Sequence, residues 1–219
     1  IFVAIDTNEV SKAKKIIRDT RTKKIIVGYK FGLQFFYSDN GRKFISSLKN
    51  QTIFLDLKLN DIPNTVKSAM KSLKNLKIAY LTVHLSSGFN ALRSLKRESK
   101  NIKIAGVTTL TSLNDKDLRE IGYNKKVNEL VRHQAKLAKK AKLDAIICSG
   151  HEIKSVKRVF NKEIITPGIK IMNTKNDQKR IIKPKDAFAA GSDWLVIGRS
   201  ITNGNIKKNI KNLLEILED

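Results

Sequence analysis

Apolar residues recur along this chain in short runs, and each run is followed by a longer stretch where they return every third or fourth position. The short runs are rich in β-branched and aromatic residues, as in Phe2-Val3-Ala4-Ile5 and Tyr80-Leu81-Thr82-Val83, and read as strands. The longer stretches have the spacing of amphipathic helices. This pattern predicts strands over 2–6, 25–31, 52–57, 80–84, 102–108, 145–148, 163–166 and 194–197. Helices are expected over 10–17, 42–48, 63–76, 89–98, 127–142, 151–160 and 205–217, with a short segment at 115–121. Pro63 suits a first helical turn. Strands alternating with helical segments over this length predict an α/β chain folded as one (β/α)8 (TIM) barrel, rather than a doubly wound sheet. No Pro/Gly/Ser-rich linker interrupts the rhythm, so residues 1–219 are expected to form a single domain.

Composition changes this picture little. Lys and Arg number 44 against 20 Asp and Glu, a formal charge of +24. The lysines alternate with apolar helix positions, as on solvated outer faces, and are not interleaved with aromatics suited to base stacking. The excess is read as diffuse and compositional, alongside abundant Ile and Asn. No specific nucleic-acid partner is expected; a nucleic-acid-binding barrel, the reading of a different class, would bind with steep salt dependence. A single cysteine, Cys148, excludes an intramolecular disulfide and lies in an apolar run. The histidines, His84, His133 and His151, lack zinc spacing. No apolar run approaches a membrane span, and the first residues read as a strand and not a signal peptide. A cytoplasmic protein without a membrane partner is the expectation.

Candidate chemistry lies where the strands end. Asp6, Lys30, Asp56, Lys58, His84, Thr111 and Arg199 all fall at or just beyond strand C-termini. In a barrel those ends share one mouth, where active sites are built. Asp56 and Lys58 are two apart and share a face of the third strand. An ion pair aimed inward costs several kcal/mol per ion, roughly, unless its partners are well placed. Asp61 adds a carboxylate in the following turn. Alone, this Asp-x-Lys-x-x-Asp string reads equally well as a structural salt bridge. The longest irregular segment, 168–185, is polar and basic through Lys170, Asn173, Asn176, Gln178 and Lys179. Loops of that length in a compact barrel are usually functional or mobile. With Gly198-Arg199 after the eighth strand, it occupies the usual phosphate site of phosphate-binding barrels. Arg199 offers a planar fork of donors to phosphate oxygens.

The full string Asp56-Leu57-Lys58-Leu59-Asn60-Asp61-Ile62-Pro63-Asn64-Thr65-Val66 resembles the active-site signature of the orotidine 5′-phosphate decarboxylases. Further blocks resemble that family in order: Val3-Ala4-Ile5-Asp6, Lys30-Phe31-Gly32-Leu33, Leu81-Thr82-Val83-His84, residues 107–112, Thr166-Pro167-Gly168-Ile169 and residues 196–200. The resemblance implies cofactor-free, metal-free decarboxylation of orotidine 5′-phosphate to UMP in pyrimidine synthesis. Lys58 would protonate C6 as carbon dioxide leaves, with Asp56 near the departing carboxylate. Lys30 and Asp61 would complete a Lys-Asp-Lys-Asp array. The family shares that array across a homodimer, Asp61 and Thr65 entering from the neighbour. Asp6 and Lys30 would hold ribose hydroxyls, Thr111 would read the pyrimidine edge, Gln178 would link base and phosphate, and Gly198-Arg199 would anchor the phosphate. Lys170 stands where the family often has arginine, keeping the charge without the fork. Ser149-Gly150 and Asn60 also depart from the common pattern. The nearest rival is a relative with the same Asp-x-Lys-x-x-Asp motif, a magnesium-dependent sugar-phosphate decarboxylase or synthase. Lys30, Thr111, Gln178 and the Ile-Pro-Asn-Thr after Asp61 favour the nucleotide enzyme.

Overall fold

The chain closes a parallel barrel of strands β1 (Phe2–Ile5), β2 (Gly28–Gly32), β3 (Ile53–Leu59), β4 (Tyr80–His84), β5 (Lys103–Val107), β6 (Ala145–Ile147), β7 (Glu163–Thr166) and β8 (Trp194–Ile197). The computed structural model describes residues 1–171 and 182–218. Each strand pairs with the next in sequence, and β1 pairs with β8, Phe2 opposite Val196, to seal the ring. Helices return the chain from one strand to the next; the longer ones are Val10–Asp19, Pro63–Ser72, Gly88–Glu98, Val127–Lys140 and Ile206–Glu218.

Strand alternation splits the apolar residues into two layers. Outward side chains such as Val3, Phe31, Leu55, Leu81 and Ile104 pack under the helices in the larger core. Inward ones, Phe2, Phe54, Tyr80, Ala105, Ala145 and Ile165, fill the barrel at the N-terminal end of the strands. Aromatic rings plug this end: Phe2 lies 4.5 Å from Trp194 and 5.1 Å from Phe54, centroid to centroid. Beneath them the Tyr80 hydroxyl donates to Glu163 (2.7 Å), and Lys103 Nζ donates to the other Glu163 oxygen (2.5 Å). Burial and the bond to Glu163 push the Tyr80 hydroxyl up to about 12. One end of the barrel is therefore shut, and the inward positions one step higher, Ala4, Lys30, Asp56, Thr82 and Val107, face the open end.

Several elements differ from the sequence-based expectation. β2 begins at Gly28, not at Ile25, because its neighbours fix the register: Gly28 pairs with Phe2, where β1 starts. Gly28 also admits a close approach, since a Cβ there would stand 2.6 Å from the Phe2 ring and 2.8 Å from the Thr52 carbonyl. Ile26 is exposed. The helix expected over 63–76 ends at Ser72, yet Leu73 and Leu76 stay buried, so the periodicity outlasts the helix. Residues 151–160 form a 3-10 turn (Gly150–Glu152) and a short helix, Ile153–Lys157. Short helices at Leu33–Phe36 and Arg199–Thr202 were not expected. The irregular segment is shorter than 168–185: Ile182 N–H donates to the Gly168 carbonyl and Lys170 N–H to the Ile182 carbonyl, both 3.1 Å, and a helix begins at Pro184. Gly150 makes room for this closure, because a Cβ there would stand 2.5 Å from Ile182 Cγ2.

Candidate active site

A cavity of about 260 Å³ opens at the C-terminal mouth of the strands, lined by Asp6, Lys30, Asp56, Lys58, Thr111 and Arg199 among others. Its depth comes from small inward residues. Ala4 and Gly198 line it, and a Cβ on Gly198 would meet Ala4 Cβ at 3.6 Å and Asp6 Oδ2 at 3.5 Å. Phe54, Val107, Ile147, Cys148 and Ile169 supply apolar wall. A lining that combines charged groups with apolar side chains suits a ring with charged substituents.

The file is continuous. Lys58 Nζ donates to Asp56 Oδ2 (2.8 Å), Lys30 Nζ stands 3.6 Å from the same oxygen, and Lys30 also donates to Asp6 Oδ1 (3.2 Å). Asp56 is 7% exposed. Its burial pushes the carboxyl pKa up, but the charges of Lys30 and Lys58, with hydrogen bonds from Lys58 and Thr82, outweigh that and hold it below the ordinary carboxylate value. Asp56 is thus an anion shared between two ammonium groups. His84, at the end of β4, is shifted down by burial and by the charge of Lys58, with Asp56 opposing.

The Asp56–Lys58 pairing does not come from simple alternation. Lys58 has φ 48°, in the left-handed region that β-strand residues avoid. Here β3 pairing passes from Leu55↔Leu81 to Leu59↔Val83, so β3 carries extra residues between positions that β4 crosses in one pleat. A bulge of this kind re-aims side chains beside active sites. The released Lys58 N–H donates to Thr82 Oγ1 (2.7 Å), and Thr82 Oγ1 donates to Asp56 Oδ1 (3.1 Å). Thr82 is fully buried; in the sequence it has a strand position and a place in the block Leu81-Thr82-Val83-His84, but no role of its own. The available signal was its place in the inward row Tyr80-Thr82-His84, beside Phe54-Asp56-Lys58.

Of the remaining candidates, Thr111, Gly198 and Arg199 line the cavity, and Gly168, at φ 79°, forms its rim with Pro167. Lys170 is half-buried beside the 168–182 closure and is not part of the lining. Asp61 and Thr65 are exposed and do not line the cavity of their own chain. Asp61 Oδ1 accepts the Ile62 N–H (2.7 Å), and Ile62 beside it is 66% exposed. Gln178, with Asn173, Asn176 and Lys179, lies outside the described residues. Among the described residues no three His, Cys, Asp or Glu side chains are grouped to hold a metal ion. No helix among them is long and apolar enough to cross a membrane.

Comparison with known proteins agrees with this geometry. The family model described as orotidine 5′-phosphate decarboxylase / HUMPS matches residues 1–210. The orotidine 5′-phosphate decarboxylase of Ehrlichia chaffeensis is 40% identical, over 92% of this chain and 89% of that protein. That of Wolbachia pipientis subsp. Culex pipiens is 38% identical, over 100% of this chain and 99% of that protein. The crystal structure of orotidine 5′-phosphate decarboxylase from Lactobacillus acidophilus is 29% identical with a TM-score of 0.82, covering 100% of this chain and 99% of that one. Matches of this extent span the barrel and every described residue of its mouth: the chain belongs to the orotidine 5′-phosphate decarboxylase / HUMPS family.

Proposed function

We propose that this protein decarboxylates orotidine 5′-phosphate to UMP, with Lys58 as the proton donor. The observation that carries the reading is the file Asp6–Lys30–Asp56–Lys58, which sets an ammonium group against a buried carboxylate at the floor of a cavity rimmed by Arg199.

The chemistry follows from that arrangement. The bond from C6 to the carboxylate breaks, carbon dioxide leaves, and the electron pair stays on C6 with little ring delocalisation. Nothing in the substrate itself disperses that charge, so a fixed ammonium must. Lys58, held by Asp56 and by its own strained backbone, stabilises the negative charge as it forms and then delivers a proton to C6. The product is UMP, and the lysine regains its proton from solvent. Asp6 and Lys30 are at hand for the ribose hydroxyls, and Thr111 for the pyrimidine edge.

The phosphate goes to the rim formed by Gly168 and Gly198-Arg199, the loops after β7 and β8. Its binding energy is remote from C6 and serves to seat the ring and exclude water. Lys170, whose N–H donates to the Ile182 carbonyl, is a further charge for the phosphate, and Gln178 is the residue for linking base and phosphate.

The site is completed by a second copy of the chain. Asp61 is exposed, away from its own cavity and next to the exposed Ile62, as expected of a carboxylate that enters a neighbour's mouth together with Thr65.

Product analysis tests the reading. The purified protein, incubated with orotidine 5′-phosphate and a chelator, is expected to release carbon dioxide and UMP in equal amounts; in D2O the UMP carries deuterium at C6. Sugar-phosphate turnover that requires magnesium, without turnover of the nucleotide, would overturn it.

A further inference from the structure

We propose that Thr82 is a positioning residue for the reaction: its hydroxyl locks the Lys58 backbone and the Asp56 carboxylate into one geometry. The inference rests on the decarboxylase reading above.

Some buried threonine hydroxyls of this chain give their proton to a nearby backbone carbonyl, and Thr109 gives its proton to Gln134 Oε1 (3.4 Å). Thr20 donates to the Ile16 carbonyl (2.7 Å) and Thr108 to the Ile147 carbonyl (2.8 Å). Thr82 does something else. Its proton goes to Asp56 Oδ1 (3.1 Å), and its oxygen receives the Lys58 N–H (2.7 Å). A hydroxyl has one proton to give and lone pairs to accept with, so both bonds stand at once. They act on the two ends of the same contact. One fixes the Asp56 oxygen that faces away from Lys58; the other holds the left-handed backbone from which the Lys58 side chain turns back to Asp56 Oδ2.

Left-handed backbone is strained for a residue with a Cβ, and persists where the surroundings hold it. Here the holding group is a side chain of the adjacent strand, itself pinned by the β4–β5 register at Thr82↔Ala105. Thr82 does not line the cavity, so it acts through Asp56 and Lys58 and not on the substrate. Removing its hydroxyl leaves an N–H without its partner, a carboxylate with one donor fewer, and a lysine free to swing.

The test compares the parent with Thr82→Val, Thr82→Ser and Thr82→Ala for melting, kcat and KM on orotidine 5′-phosphate. Valine matches the volume and lacks both bonds; serine keeps both. Thr82→Val is expected to lose about ten- to a hundredfold in kcat, with KM within about threefold of the parent. Thr82→Ser restores kcat to within about threefold of the parent. The acid limb of the kcat profile moves to higher pH in Thr82→Val, because the Thr82 bond is one of the contacts that favour the Asp56 anion. If valine prevents folding, Thr82→Ala carries the same expectation. An unchanged kcat in the folded Val or Ala variant overturns the proposal, and so does a Ser variant as slow as the Val variant. Absence of turnover by the folded parent, read in the same assay, overturns the decarboxylase reading and this proposal with it.

Discussion

Lys58 Nζ meets Asp56 Oδ2 at 2.8 Å from a backbone held at φ 48°. Two residues apart on a regular strand, the same pair would share a face and point along parallel directions. The bulge turns the lysine back onto its neighbour. Strain is thus stored at the lysine proposed to deliver the proton.

Replacing Asp56 by Asn removes the anion on which Lys58 and Lys30 converge. Breaking a buried pair of this kind costs about 3 kcal/mol or more, so Asp56→Asn is expected to unfold at lower urea and to lose about 10²–10³-fold in kcat. Urea titration beside the kinetic assay checks both. Full activity in the variant would show that the carboxylate does not aim the lysine.

Variants of Arg199 and Lys170 test the proposed phosphate rim. Arg199→Lys keeps the charge at the rim and loses the bidentate fork. Loss of a charged hydrogen bond is worth about 1.5–3 kcal/mol, so kcat/KM is expected to fall about ten- to a hundredfold, with the pH profile unchanged. Lys170→Arg is expected to hold or raise kcat/KM. A steady-state series on the two variants tests this; equal losses in both would place the phosphate elsewhere.

His84 gives a pH signature of folding. Burial first, then the charge of Lys58, holds its pKa below the ordinary 6.5. The folded state therefore binds fewer protons than the unfolded state between that lowered value and 6.5. The sign follows: stability from neutral His84 is fully present above pH 6.5 and is lost as pH falls through the lower folded value. Urea midpoints measured between about pH 7 and 5 are expected to decline less in His84→Asn than in the parent. Parallel declines would remove His84 from the account.

The proposed sharing of the site between two copies is tested by mixing. Lys58→Ala and Asp61→Asn are each expected to be inactive; unfolded and refolded together, they form mixed dimers with one site carrying both native groups. Reappearance of activity on mixing supports Asp61 as the neighbour's contribution, and full activity of Asp61→Asn alone contradicts it.

Much of this was legible in the sequence, for physical reasons. The strand runs place Asp6, Lys30, Asp56 and Arg199 at strand ends, and barrel closure brings those ends to one mouth whatever the detailed packing. Alternation gave the right partner for Asp56 but not the means, since a bulge between Leu55 and Leu59 depends on how β4 pairs. Thr82 escaped notice because a threonine inside an apolar strand looks like a propensity choice; its role needs the neighbouring strand. The helix at Leu33–Phe36 was hidden for a similar reason. Only Leu33 and Gln34 separate the second strand from Phe35 and Phe36, and the turn to helix is set by Phe35 packing on Phe31 and Phe44 at 5.0 and 5.6 Å.

The most direct measurement is the ultraviolet rate of loss of orotidine 5′-phosphate by the parent and by Lys58→Ala, in metal-free buffer with folding of both verified. The account expects rapid conversion by the parent and a loss of at least about 10²–10⁴-fold in the variant. A variant that turns over like the parent would contradict Lys58 as the proton donor, and a folded parent without turnover would contradict the decarboxylase reading itself.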